Sequence, residues 1–158
     1  MADTTAPWFA LYTTPRREKR IAAQLQQNRF ETFLPVYRTV YLWKNRTRAA
    51  LDLPLFPCYV FVRTAQEHRG SVLSVPGVLS LVGSRREAWP LPDFEIEKLR
   101  AGMGQLNAEP HPYLATGDRA RIRSGPLSGM EGVLIQGKNG PWVVLTIEAI
   151  KRSISIKV

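Results

Sequence analysis

The sequence predicts an α+β protein in which a mixed domain of strands and helices precedes a small all-β domain. In the first part, strongly apolar runs alternate with segments of helical periodicity. In the last part, glycines separate short apolar runs at strand-like spacing, which is typical of a small β-barrel. Between them, residues 105–114 carry two prolines in three positions and indicate an extended connection. We therefore expect a first domain at 1–104, a linker at 105–114 and a barrel at 115–158.

The clearest strand signal is the run at residues 55–62, which reads Leu-Phe-Pro-Cys-Tyr-Val-Phe-Val. Odd-numbered and even-numbered residues of this run are both apolar, so we expect a strand that is buried on both faces. Pro57 lacks a backbone N–H and can stand only where such a strand begins or on an edge. A second apolar strand is expected at residues 8–12. Alternation at residues 33–43 predicts a third strand, which leads into a basic hairpin tip at Lys44, Arg46 and Arg48.

Helices are predicted at three places. Residues 16–29 place Ile21, Ala22 and Leu25 on one face, after a Thr-Pro pair that suits a helix start. Residues 65–75 form a weaker candidate, and a third helix opens near Pro90, with Ile96, Leu99 and Met103 on one face. Turns are expected at residues 75–78 and at Lys138-Asn139-Gly140, where Asn-Gly accepts a positive φ.

Charge indicates an anionic partner. The 158 residues carry a net charge of +9, with +6 in residues 1–63, −1 in 64–110 and +4 in 111–158. Two basic clusters in the first segment are candidates for binding nucleic-acid phosphates: Arg16, Arg17, Lys19 and Arg20, and then Lys44, Arg46 and Arg48. For each cluster the competing interpretation is a solvated surface that only keeps the protein soluble.

The same sequence argues against several other classes. One cysteine excludes an intrachain disulfide and suits a reducing compartment. No apolar segment approaches the length of a membrane span, and the N-terminus lacks a secretory signal. The two histidines and Cys58 show no metal-ligand spacing, and no glycine-rich phosphate loop joins a strand to a helix. We expect a protein without cofactor or enzymatic activity, in which Cys58 is a small buried thiol.

Four segments, taken in order, resemble the NusG/RfaH family of transcription elongation factors. Residues 8–12 resemble the family's first strand, and residues 55–62 its central motif, with Cys58 where glycine is usual. Residues 75–78 resemble its next turn. Residues 117–132, reading Gly-Asp-Arg-Ala-Arg-Ile-Arg-Ser-Gly-Pro-Leu-Ser-Gly-Met-Glu-Gly, resemble a KOW motif. The ending at residues 150–156 is closer to specialised paralogues, so we favour an operon-directed antitermination factor.

The resemblance implies an architecture and a set of partners. It implies an α/β sandwich (the NGN domain, an antiparallel sheet with about three helices) followed by an SH3-like barrel (the KOW domain). It further implies that the NGN domain binds the clamp helices of RNA polymerase, near the upstream and non-template DNA, and suppresses pausing and termination. The barrel would recruit a small-subunit ribosomal protein or Rho. We expect a monomer in the bacterial cytoplasm, associated with the nucleoid through the polymerase.

An apolar surface for the polymerase is expected at one end of the sheet. It comprises Trp8, Tyr12, Phe56, Pro57, Tyr59 and Phe61. Strand alternation requires some of these side chains to lie in the core.

Two alternatives stay open. A ribosome-associated or RNA-binding protein would also carry a KOW motif, and Arg119, Arg121 and Arg123 alternate along one strand as a cationic face. Some family members refold the barrel into a helical hairpin. Here the β-branched residues at 142–156 favour strands, and we expect a stable barrel.

Overall fold

The computed structural model describes residues 5–84, 86–102, 108–114, 117–137 and 140–157. Within these ranges the α-helices are α1 (Glu18–Gln27), α2 (Arg69–Leu73) and α3 (Asp93–Gly102). The strands of the first part are β1 (Trp8–Thr13), β2 (Glu31–Phe33), β3 (Val36–Leu42), β4 (Arg48–Pro54), β5 (Tyr59–Arg63) and β6 (Val78–Leu81). Those of the last part are β7 (Ala108–His111), β8 (Arg119–Arg121), β9 (Glu131–Gly137), β10 (Gly140–Ile147) and β11 (Arg152–Lys157).

The first sheet is antiparallel, has the order β2-β5-β1-β6 and is covered on both faces. On one face, Phe9 and Leu11 of β1 pack with Ile21 and Leu25 of α1. The opposite face faces α3, whose Ile96 and Leu99 join the cluster that contains Trp8, Ala10 and Phe61. This arrangement confirms the α/β sandwich and the expectation that the central strand is buried on both sides.

The central strand begins later than the sequence predicted. Residues 56–59 form a turn in which the amide of Tyr59 donates to the carbonyl of Phe56 at 3.2 Å. Pro57 takes the second position, and Cys58 takes the third with φ +71°. Proline followed by a residue with positive φ is the signature of a type II turn. The prediction of a continuous strand over 55–62 is therefore wrong, and β5 covers only its second half.

Two other predicted boundaries also move. Helix α1 begins at Glu18 because Arg16 adopts φ +66°, so Pro15 lies in the preceding turn rather than at the first helical position. The predicted strand at 33–43 is interrupted at residues 34–35, and it becomes β2 and β3. Pro35 has no N–H to offer a strand neighbour, but its carbonyl accepts a hydrogen bond from the amide of Leu55 at 2.8 Å.

Strands β3 and β4 form a separate two-stranded sheet, which we call the hairpin arm together with its loop. The register pairs Tyr37 with Leu53 near the base and Tyr41 with Ala49 near the tip. The amide of Trp43 donates to the carbonyl of Thr47, and the amide of Arg46 donates to the carbonyl of Trp43, each at 2.9 Å. With Arg46 at φ +65°, this is a three-residue loop that ends in a left-handed position.

The last part forms a five-stranded antiparallel sheet with the order β7-β11-β10-β9-β8. It matches the expected small barrel. Gly132 is required in β9, because a Cβ atom there would lie 2.5 Å from the carbonyl oxygen of Val144. Gly137 pairs with Gly140, whereas the predicted turn residues Lys138 and Asn139 lie outside the described residues, as does Met103 of the predicted third helix.

Residues 108–111, inside the predicted linker, form the edge strand β7, which pairs with β11. An extended segment with prolines is also compatible with an edge strand, because only one side needs hydrogen-bond donors. Residues of both halves share one apolar cluster, in which Phe61 and Ile96 occur with Leu127, Met130 and Ile154. The exact limits 1–104 and 115–158 stay a prediction.

Candidate functional site

The six residues of the predicted apolar surface divide into buried and exposed groups. Trp8, Phe56 and Phe61 are at most 1% exposed and belong to the core. Tyr12 is 40% exposed, and Pro57 is also exposed. Tyr59 keeps 8% of its surface. In this arrangement a partner can reach Tyr12 and Pro57 directly, whereas Trp8, Phe56 and Phe61 are core residues and not part of an exposed surface.

Trp8 is held from its ring face by two guanidinium groups. The guanidinium carbon of Arg63 lies 5.0 Å and that of Arg100 5.9 Å from the ring centroid. Arg63 is also within 3.4 Å of Glu97 and 3.6 Å of Glu31, so it joins the sheet to α3. Because its side chain is only 9% exposed and contacts several carboxylates, Arg63 does not offer a free cation to a partner.

Tyr12 and Pro57 are exposed at one end of the sheet beside the buried Tyr59, and we call these three residues the rim. Tyr12 of β1 faces Tyr59 of β5 in the strand register, with ring centroids 5.6 Å apart. The guanidinium of Arg152, from β11, lies 5.5 Å from the Tyr59 ring centroid. The barrel therefore covers one member of the rim, while Tyr12 stays open.

The backbone amide of Cys58, and not its sulfur, makes the hydrogen bond that holds this residue in place. Its amide donates to Oε2 of Glu18, a buried carboxylate of α1, at 3.0 Å. Burial, together with the nearby Glu18 charge, raises the pKa of the Cys58 thiol, and Arg152 opposes this shift. The thiol therefore stays protonated at neutral pH, which does not suit a nucleophile.

A groove lies between α1 and the base of the hairpin arm. Its volume is about 400 Å³ and its walls are mostly apolar. Tyr37, Leu53 and Pro57 line it, and Arg16 and Lys19 stand beside them. We call it the base groove. Its two carboxylates are already engaged, since Glu18 binds the amide of Cys58 and Asp52 pairs with Arg38 at 3.2 Å.

All seven predicted nucleic-acid-binding residues are exposed, but they do not form one patch. Arg16 and Lys19 line the base groove. Arg17 lays its stem toward Gly77, with its Cδ 3.3 Å from the position a Cβ would take, and Arg20 follows on α1. Lys44, Arg46 and Arg48 lie at the tip of the hairpin arm. Among the described residues, none of these three tip cations forms an ion pair.

Sequence reasoning missed an aromatic pair on the hairpin arm. Tyr41 and Trp43 are each 51% exposed, and their ring centroids lie 4.8 Å apart with planes at 66°. Tyr37, lower on the same strand, lines the base groove. The alternation of side chains along a strand could have revealed the pair, since residues 37, 39, 41 and 43 must share one face.

A second cavity, of about 280 Å³, lies between α3 and the barrel. Phe94 and Glu95 line it from α3, and Glu148 lines it from the barrel. Burial raises the pKa of Glu95, and the Glu148 carboxylate adds to this shift. Glu148 also accepts a hydrogen bond from the hydroxyl of Tyr113 at 3.1 Å.

The described residues contain no group of three or more His, Cys, Asp or Glu side chains that could hold a metal ion. None of the helices in the described ranges combines the length and apolar character needed to cross a bilayer.

The structure thus combines an α/β sandwich with a five-stranded barrel and carries an exposed tyrosine at the rim and a basic hairpin. The family model described as transcription termination factor NusG matches residues 6–100. The chain belongs to the NusG family. The first strand, the turn at Cys58 and the turn at Gly77 all lie inside the matched region, which confirms the resemblance seen in the sequence.

Individual relatives extend the likeness to the barrel. The transcription termination/antitermination protein NusG of Lactococcus lactis is 28% identical over 163 residues, which cover 95% of this chain and 88% of that protein. The corresponding protein of Deinococcus radiodurans is 26% identical over 154 residues, covering 80% and 81%. NusG of Thermotoga maritima shares the fold with a TM-score of 0.58 at 20% identity, covering 97% of this chain and 93% of that one.

Family membership makes the chain a transcription elongation and antitermination factor in the general sense. Members of this family are non-enzymatic transcription factors, in agreement with the interpretation of the sequence as that of a non-enzyme.

Proposed function

We propose that this protein binds the clamp helices of RNA polymerase through its rim, suppresses pausing and termination, and recruits a further factor through its barrel. The observation that carries the proposal is the exposed Tyr12, which is held against Tyr59 at 5.6 Å and flanked by Pro57. A partly exposed tyrosine fixed by a second ring is preorganised for binding, and tyrosines contribute strongly at interfaces.

The basic residues support a second contact, with the DNA of the elongation complex. Arg16 and Lys19 lie beside the base groove, and Lys44, Arg46 and Arg48 lie at the tip of the hairpin arm. Contacts of this kind bind phosphates without reading sequence, and they weaken steeply with salt. We expect the upstream or non-template strand to be the partner.

The ribosome-associated alternative receives less support. Arg119 and Arg121 both contact Glu131 on the neighbouring strand, and Arg121 holds the pKa of that carboxyl below its usual range. Two of the three arginines of the cationic face are thus partly neutralised. The barrel as a docking site for a ribosomal protein or Rho, and the protein's role as an operon-directed paralogue, belong to the proposal.

Replacement of Tyr12 tests the polymerase contact. Tyr12→Ala should weaken binding of the full chain to core RNA polymerase by tenfold or more, since truncation of an anchoring tyrosine costs about 2 kcal/mol. Leu79→Ala, at a 56% exposed position on β6 of the same sheet, is the matched control and should bind normally.

The melting temperature of each variant must be measured beside its affinity. Normal binding by a folded Tyr12→Ala protein would contradict the rim as the polymerase site. A shared loss of binding in Tyr12→Ala and Leu79→Ala would also contradict it, because the effect would not be specific to the rim.

A further inference from the structure

The hairpin arm has two faces that differ in chemistry. Pairing in the register places Tyr37 and Tyr41 on one face with Leu53, Leu51 and Ala49. Trp43 continues this face, as its contact with Tyr41 shows. We call this surface the aromatic face. The opposite face carries Val40 and Leu42 and the ion pair between Arg38 and Asp52.

The aromatic face joins a second feature, the base groove. Tyr37 and Leu53 belong to both, so the exposed rings at the tip and the apolar groove at the base form one continuous strip. From Tyr37 to Tyr41 a strand rises by about 14 Å, which equals about four stacked bases at about 3.4 Å each. Cations border both ends, with Lys44 in the loop at the tip and Arg16 and Lys19 at the groove. Arg48 pairs with Leu42 and lies on the opposite face.

We propose that the aromatic face binds unpaired nucleic acid, with bases stacked on Tyr41 and Trp43 and the following nucleotides directed toward the base groove. Aromatic rings interleaved with cations are the elements of single-strand binding, because every base offers a π-face and every nucleotide a phosphate. In a duplex the base faces are already stacked on one another and cannot be offered to these rings. The arm therefore favours single strands over duplex.

Charge is the reason for choosing nucleic acid over a protein partner. Residues 36–54 contain four Lys or Arg and one acid, and that acid is paired with Arg38. Among the described side chains, the cations at the tip form no ion pair, so their positive charge is available to attract a polyanion. The inference rests on the proposed function only for the source of the strand, which is the unpaired DNA or the RNA of an elongation complex.

The direct test needs no polymerase. Fluorescence anisotropy of the full chain is measured with a labelled single-stranded DNA of about 12 nucleotides, its duplex, and an RNA of the same sequence. In the double variant Tyr41→Ala/Trp43→Ala, single-strand affinity should fall at least fivefold for each ring removed, while duplex affinity changes less than twofold. Tyr41→Phe/Trp43→Phe should keep the wild-type affinity.

The matched control lies on the other face of the same strand. Val40→Ser/Leu42→Ser alters two side chains that are 63% and 60% exposed and should leave single-strand binding unchanged. The proposal is overturned if the alanine pair binds single strands like the wild type. It is also overturned if the serine pair loses as much affinity as the alanine pair, since hairpin integrity would then explain both losses.

A second arm of the experiment identifies the strand. A photo-crosslinking amino acid at position 41 is used in elongation complexes that carry different labels on the non-template DNA and on the RNA. Crosslinks to either strand support the proposal and name the source. Crosslinks to polymerase alone, with unchanged anisotropy in the alanine pair, would assign the face to a protein contact and overturn it. If the chain fails to bind polymerase at all, the anisotropy result still decides this inference separately.

Discussion

At the scale of single residues, Cys58 has a left-handed backbone conformation in the proposed binding region. Its φ of +71° is the conformation that a type II turn requires at its third position, and glycine adopts it without strain. For an L-residue that conformation costs about 1–2 kcal/mol. The hydrogen bond from the Cys58 amide to Glu18 helps to hold the turn. The family's usual glycine at this position thus has a conformational reason.

We predict that Cys58→Gly stabilises the protein. Relief of the left-handed strain outweighs the greater freedom of glycine in the unfolded chain, so the free energy of unfolding should rise by about 0.5–1 kcal/mol. Urea denaturation at pH 7 measures the change. Cys58→Ala is the control, because alanine keeps the strain and should give no gain. An equal gain in both variants would show that the thiol, not φ, was responsible.

At the scale of elements, the hairpin arm combines a strained turn with a charge that belongs to the proposed DNA contact. Arg46 occupies the left-handed position of the loop, at φ +65°. Charge reversal at this residue would retain the strain, so loss of binding and loss of hairpin structure could not be separated. Glycine removes the charge and relieves the strain together.

We therefore predict that Arg46→Gly produces opposite changes in stability and binding. The melting temperature should stay equal or rise, while DNA affinity falls and the slope of log affinity against log salt decreases by about 0.7–0.9, as for one lost phosphate contact. Salt titrations by anisotropy check this. Thr47→Gly, one residue along in the same loop, is the control and should keep the wild-type slope. An unchanged slope in Arg46→Gly would remove Arg46 from the proposed interface.

The elements themselves were largely predictable, since apolar periodicity located β1, α1, α3 and the barrel strands. The boundaries were not, because they depend on backbone conformations that periodicity does not encode. Arg16 and Cys58 both adopt positive φ, which shortened α1 and β5 relative to the prediction. The candidate site was predictable in part for a similar reason. Parity separates the faces of a strand, but only the packing of α3 and the barrel shows that Trp8 and Phe61 are core while Tyr12 is open.

At the scale of the whole molecule, α3 and the barrel bring two carboxylates together. Glu95 and Glu148 line the same cavity, together with Glu131 and Arg119. The pKa of Glu95 is raised above its usual value of 4.5 by burial and by Glu148. A raised pKa means that the folded state holds the proton more tightly than the unfolded state. The stability from protonated Glu95 is therefore complete below about pH 4.5 and is lost as the pH rises through the folded-state pKa.

We predict that Glu95→Gln removes this loss of stability at neutral pH, because glutamine carries no titrating carboxyl group. The variant should melt at a higher temperature than the wild type at pH 7, and the difference should shrink to nothing as the pH falls toward 4. Glu131 titrates with the opposite sign, because its pKa is lowered by Arg121. Its effect is common to both proteins and cancels in the difference. Glu67→Gln, at an exposed position in the 3₁₀ turn before α2, is the control. A constant difference across the pH range would contradict the prediction.

The barrel also covers part of the rim, through Arg152 over the Tyr59 ring. We predict that Arg152→Ser exposes Tyr59 and raises the affinity for RNA polymerase about two- to fivefold, since an exposed cation–π contact contributes about 0.5–1 kcal/mol. Competition binding with core polymerase measures this. Lys157→Ser, at an exposed position on the same strand β11, is the control. Weaker polymerase binding by Arg152→Ser would instead place Arg152 in the interface.

Because β7 pairs with the barrel sheet, the segment that connects the two halves is shorter than the predicted linker. Only five residues, 103–107, separate the end of α3 from β7. A chain of five residues reaches at most about 20 Å, and two parts joined at such a distance have an effective concentration of about 1 mM for each other. An association with a dissociation constant near ~0.1 mM for separate domains would then be about nine-tenths closed. Any partner that needs the open form would bind about tenfold more weakly than its intrinsic affinity, and lengthening this segment would recover part of the difference.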